Sequence, residues 1–333
     1  NLIMPLPMLL GTIGFMLGTG GSAIVGITLG EGDQKKADRY FTLFLLAALI
    51  SVSVLAVLGI VFLRPIAVLL GAKGELLDYA VRYGRILMVS LPTFALQNMF
   101  QSFFVTAEKP HLGFWFTVGA GCTNMVLDVL MVGIWGWGVE GAAIATFISQ
   151  LVGGVLPVFY FIDRSNSSRL HLCKTSFYSK VLRDACINGS SELMTNLSMS
   201  LVNILYNYQL LRLAGENGVA AYGVIMYAAF LFVAVFVGYA VGSAPIVSFH
   251  YGARNHAEVH NLYRKSLRLI AVVAVTLTLA SMFIIPCVAR IFVGYDAELL
   301  ALTSRAFRLY ALSFLIKGFN VYASSFFTAL GDG

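Results

Sequence analysis

Three charged residues stand inside otherwise uncharged, apolar stretches: Asp128, Glu192 and Lys317. Charge held in lipid is costly, so each is a candidate for function. Asn124 lies four residues before Asp128, on the same helical face. An amide there can hold a carboxylate while it exchanges a proton; the competing reading is an Asp that caps or pairs structurally. Glu192 is the only charge in a polar series. Counted from Asn188 at about 100° per residue, Glu192, Asn196, Ser200, Asn203 and Asn207 fall within about a third of the helix circumference. Lipid penalises such a stripe, so it faces protein or water and reads as a cavity wall; a structural seam between helices is the alternative. Lys317 is alone in mid-span, and Glu192 is its expected partner; snorkelling to a surface roughly 20 Å away is the alternative. Thr93, Gln97 and Gln101 share one face and are candidates for the other half of a cavity, with interhelical bonding as the alternative.

Such residues need a bilayer-spanning frame, and the composition demands one. Of 333 residues, 59% are hydrophobic and 11% charged. A soluble domain carries about 25% charged residues and cannot cover its surface with so few. Stretches free of Asp, Glu, Lys and Arg, about 20 residues long, end near residues 29, 63, 107, 134, 162, 211, 250, 289 and 330, the last broken only by Lys317. Backbone groups in lipid must be satisfied within each span, and no period-two alternation is present, so all nine are read as helices. Loops 31–39, 108–111, 163–183 and 252–268 hold 13 Lys and Arg, against 8 in the opposite set, which places the first set in the cytoplasm. The net charge of +6 therefore orients the chain against the bilayer rather than binding nucleic acid.

The chain repeats itself. Gly30-Glu31-Gly32-Asp33 returns as Gly252-Ala253-Arg254-Asn255, Pro65 as Pro286, and Glu75-Leu76-Leu77 as Glu298-Leu299-Leu300. Arg82 and Arg85 return as Arg305 and Arg308, and Ser102-Phe103-Phe104 as Ser325-Phe326-Phe327. The offset stays near 222, and an even number of spans separates the copies, which makes them parallel repeats about an axis along the membrane normal. Asn1 and Gly333 both abut apolar runs. The repeat then implies one further span before and two after the chain. The expected fold is thus an all-α integral membrane protein, with nine transmembrane helices visible of twelve in two pseudo-twofold-related six-helix lobes. The N-lobe covers 1–163, an interlobe loop 164–182 and the C-lobe 183–333.

These residues resemble the multidrug and toxic compound extrusion (MATE) family, in its bacterial MepA-like branch. The resemblance rests on Gly20-Gly21-Ser22-Ala23, Gly30-Glu31-Gly32-Asp33 with Ala37, Pro92, and Ala107-Glu108-Lys109-Pro110. It rests equally on Asn124-x-x-Leu127-Asp128, Gly138-Val139-x-Gly141-Ala142-Ala143, Gly189-x-x-Glu192 and Ala329-Leu330-Gly331-Asp332. In family terms the chain holds helices 2 to 10. The resemblance implies a monomeric, multi-pass cell-membrane antiporter that exports amphipathic, often cationic organic compounds in exchange for H⁺ or Na⁺. It implies that Asp128, Asn124 and Glu192 couple transport to the ion, and Lys317 departs from it, because sodium-coupled members usually carry an acid there. Asn188, Asn196, Asn203, Gln97, Gln101 and Lys317 are the expected cavity lining, with Tyr206, Met226, Tyr227 and Phe230 as stacking surfaces. The alternative is a lipid-linked sugar flippase of the same wider superfamily.

No cofactor or metal site is expected. Cys122, Cys173, Cys186 and Cys287 are far apart, and His256-x-x-x-His260 sits in a basic loop. No G-x-x-x-x-G-K-[ST], H-E-x-x-H or Gly-x-Ser-x-Gly occurs, so nothing supports an enzyme.

Overall fold

The computed structural model describes residues 5–69, 74–294 and 296–333. Of the residues singled out above, Asn1 and the side chains of Glu75, Leu76, Ser200 and Pro286 lie outside those described. Every regular element among the described residues is helical: α1 (Pro5–Gly30), α2 (Gln34–Leu69), α3 (Glu75–Thr106), α4 (Pro110–Asp128), α5 (Gly138–Gly154) and α6 (Leu156–Ile162) in the first half. α7 (Ser179–Gly252), α8 (His256–Val293), α9 (Ala297–Ala311) and α10 (Phe314–Leu330) follow. Gly215, with φ 63° and ψ −155°, leaves the helical region and divides α7 into two helices. A single π turn, Val129–Ile134, continues α4.

Length and apolarity qualify six helices to cross a bilayer, or seven if α9 and α10, bent by 49°, form one span. The count of nine is not reached by this measure among the described residues. The two remaining long helices are α3 and the first part of α7. α3 carries Ser90, Thr93, Gln97, Asn98, Gln101 and Ser102; α7 carries the stripe from Asn188. Their polar residues lower the hydropathy that defines a span; on α3, Ser90, Asn98 and Ser102 are buried against neighbouring helices, whereas α7 is exposed over 194–199 and 201–209.

The helix ends follow local chemistry. Pro110 stands in the first turn of α4, where its missing N–H costs nothing. The Asn255 side chain accepts from Glu258 N at 3.2 Å to start α8, and Asp296 Oδ1 accepts from Glu298 N and Leu299 N to start α9. Two packed cores form. One joins Phe41, Phe44, Phe100, Phe103, Phe104 and Phe161, with the rings of Phe100 and Phe161 stacked at 5.6 Å. The other joins Phe236, Ile270, Phe307, Phe314, Tyr322 and Phe326. Between them runs α1, laid against both parts of α7. A Cβ on Gly20 would overlap the Ala185 carbonyl, and one on Gly30 the Phe249 carbonyl. In lipid, close backbone approach of this kind supplies the packing that holds helices together.

Four of the basic turns gather on one face. Arg169 pairs with Glu108 at 3.1 Å, its guanidinium lies 5.4 Å from the Phe249 ring centroid, and Lys109 Nζ donates to Ser167 at 2.8 Å. Asp38 accepts from His171 N at 3.0 Å, and Gln34 donates to the Arg169 carbonyl. The loop between α6 and α7 is thereby stitched to the start of α2 and to the α3–α4 turn.

Candidate functional site

Asp128 closes α4 at the point where the helix widens into the π turn. Such turns are frequent at functional positions, because they re-aim a side chain without ending the helix. Asp128 and Asn124 are half-buried, and Asp128 Oδ1 and Asn124 Nδ2 are buried with no hydrogen-bond partner among the described residues. The amide therefore does not hold the carboxylate, as the spacing led one to expect: a shared face brings two side chains near but does not make them touch. Tyr83 of α3 lies within electrostatic range of Asp128. Sequence reasoning missed Tyr83, which belongs to a different helix and has no local signature.

The polar stripe serves several purposes. Asn188, expected on a cavity wall, is 3% exposed. Its Nδ2 donates to the Thr328 carbonyl at 2.9 Å and its Oδ1 accepts from Gly333 N at 2.8 Å, which ties α7 to the end of α10. Glu192, one turn on, is half-buried. Asn196 Nδ2 donates to the Glu192 carbonyl at 2.8 Å. Asn203 is exposed and accepts from the Tyr222 hydroxyl at 2.7 Å. On α3, Gln97 packs where a Cβ on Gly153 of α5 would overlap it, and Gln101 is exposed. Buried Asn98, beside Gln97, keeps its Nδ2 unpartnered among the described residues and was not singled out by spacing.

Lys317 does not meet Glu192. Among the described residues the ion pairs join Arg82 with Glu140, Arg169 with Glu108 and Arg183 with Asp184. Lys317 Nζ instead donates to the Tyr310 hydroxyl and lies 4.3 Å from the centroid of that ring. Residues seven apart in a straight helix are separated by about 10 Å along the axis. Here the 49° bend between α9 and α10 falls between them and brings them together. Tyr206 and Tyr222 stack at 5.4 Å with 6° between ring planes, within electrostatic range of Tyr310. The result is a C-lobe cluster of one ammonium and three phenols, adjoining Asn203. Of these, Tyr206 was singled out as a stacking surface; Tyr222 and Tyr310 were not. Tyr227 and Phe230 are 75% and 74% exposed.

Long apolar helices carry polar and ionisable groups within their length, and they define a multi-pass membrane protein. The MatE family model matches residues 1–130 and 193–333, and the chain belongs to that family of transporters, which are not enzymes. The multidrug export protein MepA of Staphylococcus saprophyticus is 21% identical over all of this chain and 73% of its own length. MepA of Staphylococcus aureus strain MSSA476 is 20% identical over the same shares. A crystallised MATE protein in complex with MaD3S superposes with a TM-score of 0.93 at 23% identity, covering 100% of this chain and 74% of that one.

Proposed function

We propose that the protein is a MepA-like secondary antiporter that exports amphipathic organic compounds, cations among them, against an inward flow of ions. Relatives named as multidrug export proteins and ligand-bound MATE structures support this reading. So do α3 and the first part of α7, which serve as two further spans lining a cavity between lobes 1–163 and 183–333, joined by loop 164–182. The lobes rock about that cavity and open it to each side in turn. The protein acts as a monomer, with loops 31–39, 108–111, 163–183 and 252–268 in the cytoplasm.

The observation that carries the coupling is the pair of buried, unpartnered polar atoms on Asn124 and Asp128. A carboxylate oxygen buried at membrane depth with no hydrogen-bond partner among the described residues is free to take one, where a carboxylate locked in an ion pair is not. We therefore assign coupling to H⁺ rather than Na⁺, through Asp128 more than Glu192. A sodium site needs several oxygen ligands, and Lys317 sets a cation in the C-lobe. A lipid-linked sugar flippase is not favoured, since the intramembrane charges are two acids and one lysine. The test is efflux of a cationic dye from proteoliposomes holding the full-length protein. Efflux should follow an imposed pH gradient and stop with an uncoupler; dye movement indifferent to both gradient and uncoupler would refute the antiporter.

A further inference from the structure

A cavity of about 460 Å³ opens where the start of α2 meets the loop between α6 and α7. Lys35, Arg39, Arg164, Lys174, His171, Asp38 and Cys173 line it. None of its four Lys and Arg residues joins an ion pair among the described residues. Its one acid is already engaged, since Asp38 Oδ1 accepts from His171 N at 3.0 Å and from Gln34 at 3.3 Å. Nε2 of His171 is buried with no hydrogen-bond partner among the described residues. The loop wall is held in place by Cys173 N on Thr42 at 3.1 Å and by Thr175 Oγ1 on the Arg39 carbonyl at 2.8 Å. This is a concave, fixed array of cations, which differs from a solvated basic loop. It suits a phosphate-bearing group, for which several convergent N–H donors give charge-assisted hydrogen bonds.

What carries that phosphate is told by the rest of α2. At about 100° per residue, Lys35, Arg39, Leu46, Ile50, Val57 and Val61 fall within an arc of about 80°. Leu46, Ile50, Val57 and Val61 are exposed, at 41%, 62%, 61% and 65%. An apolar strip therefore descends the same helix face directly below the cations. We propose that this cavity is a binding site for the headgroup of an anionic phospholipid of the cytoplasmic leaflet, whose acyl chains lie along α2. The site does not depend on the transport reading.

The full-length protein in neutral detergent is titrated with phosphatidylglycerol, phosphatidylcholine and inorganic phosphate, and bound lipid is counted by native mass spectrometry. Phosphatidylglycerol should bind saturably and phosphatidylcholine should not. The triple variant R39Q/R164Q/K174Q should bind roughly a hundredfold more weakly. R264Q/K265Q/R268Q on α8, with the same charge loss, should bind as the parent does, as should the charge-conserving R39K/R164K/K174R. Should the glutamine triple not fold, R164Q and K174Q singly must each weaken binding severalfold. Equal binding of phosphatidylcholine, equal loss in the α8 triple, or full competition by inorganic phosphate would each overturn the proposal.

Discussion

The repeat places α3 of the first half opposite α9 and α10 of the second; the two share the turns that flank them and differ in helix path and in chemistry. At an offset of 222, Gly32 and Arg254 share a positive φ, 85° and 56°; at 223, Glu108 and Gly331 do, at 60° and 84°. Four helix-ending turns thus repeat in pairs, and in each pair one position is glycine and the other, Arg254 or Glu108, is not. The side chains diverge. At the same offset Tyr310 stands opposite Leu87 and Lys317 opposite Phe94. α3 runs as one helix, whereas its counterpart bends by 49°. The first half keeps one carboxylate oxygen of Asp128 and the Asn124 Nδ2 without a hydrogen-bond partner among the described residues; the second sets Lys317 among phenols. Turn geometry and helix packing constrain the repeat, because both halves must fit together. Polar side chains within the two halves are free to differ, and the proposed coupling through Asp128 more than Glu192 rests on such a difference.

Replacing the first-half acid should have the largest effect. Asp128→Asn should lower pH-driven efflux by on the order of a hundredfold or more, read from dye flux in proteoliposomes, while drug binding stays measurable. Next is Asn188→Ala, which strands the Thr328 carbonyl of α10 and the Gly333 N–H just beyond it. Its cost should be about 2 kcal/mol, seen as a lower unfolding midpoint in detergent, with little change in coupling. Tyr310→Phe removes one hydroxyl from Lys317 and leaves the ring; a loss of about 1 kcal/mol is expected, and Leu87→Ala in the other half gives the reference for lost packing alone.

The smallest effect concerns the loop. Asp163 Oδ1 and Oδ2 accept from Ser165 N and Ser165 Oγ, both at 2.9 Å, and the amide N–H foremost holds the exposed carboxyl below the usual range. A depressed folded pKa means that the contribution is present above the unfolded value and is lost as pH falls through the folded one. Proteolysis of loop 163–178 should therefore be slow at pH 7 and faster below about pH 4. Asp163→Asn should remove most of that pH dependence.

Several helix ends were legible because a charge or a glycine-rich turn follows the apolar run: spans expected to end near 107, 134, 162 and 330 close at Thr106, Ile134, Ile162 and Leu330, before Glu108, Gly136, Asp163 and Gly331. The span count was less so, since the polar residues of α3 and of the first part of α7 lower the hydropathy by which a span is recognised. At the site, spacing found Asp128 and Asn124 but could not show that they fail to touch. It found the stripe but not that Asn188 is taken by α10. Charge complementarity paired Lys317 with Glu192. The actual partner, Tyr310, depends on a bend that no residue between 311 and 314 announces. Tyr83 and Tyr222 come from other helices, and periodicity within one helix is silent about them.

The central proposal is that Asp128 in the first half carries more of the ion coupling than Glu192 in the second. Its most direct measurement is efflux from proteoliposomes under separately imposed pH and Na⁺ gradients, with Asp128→Asn and Lys317→Ala compared side by side. The account predicts that the parent responds to the pH gradient alone, that Asp128→Asn abolishes the response, and that Lys317→Ala keeps its dependence on pH while changing apparent substrate affinity. Efflux driven by Na⁺ at zero pH gradient, with Asp128→Asn near the parent rate, would contradict it.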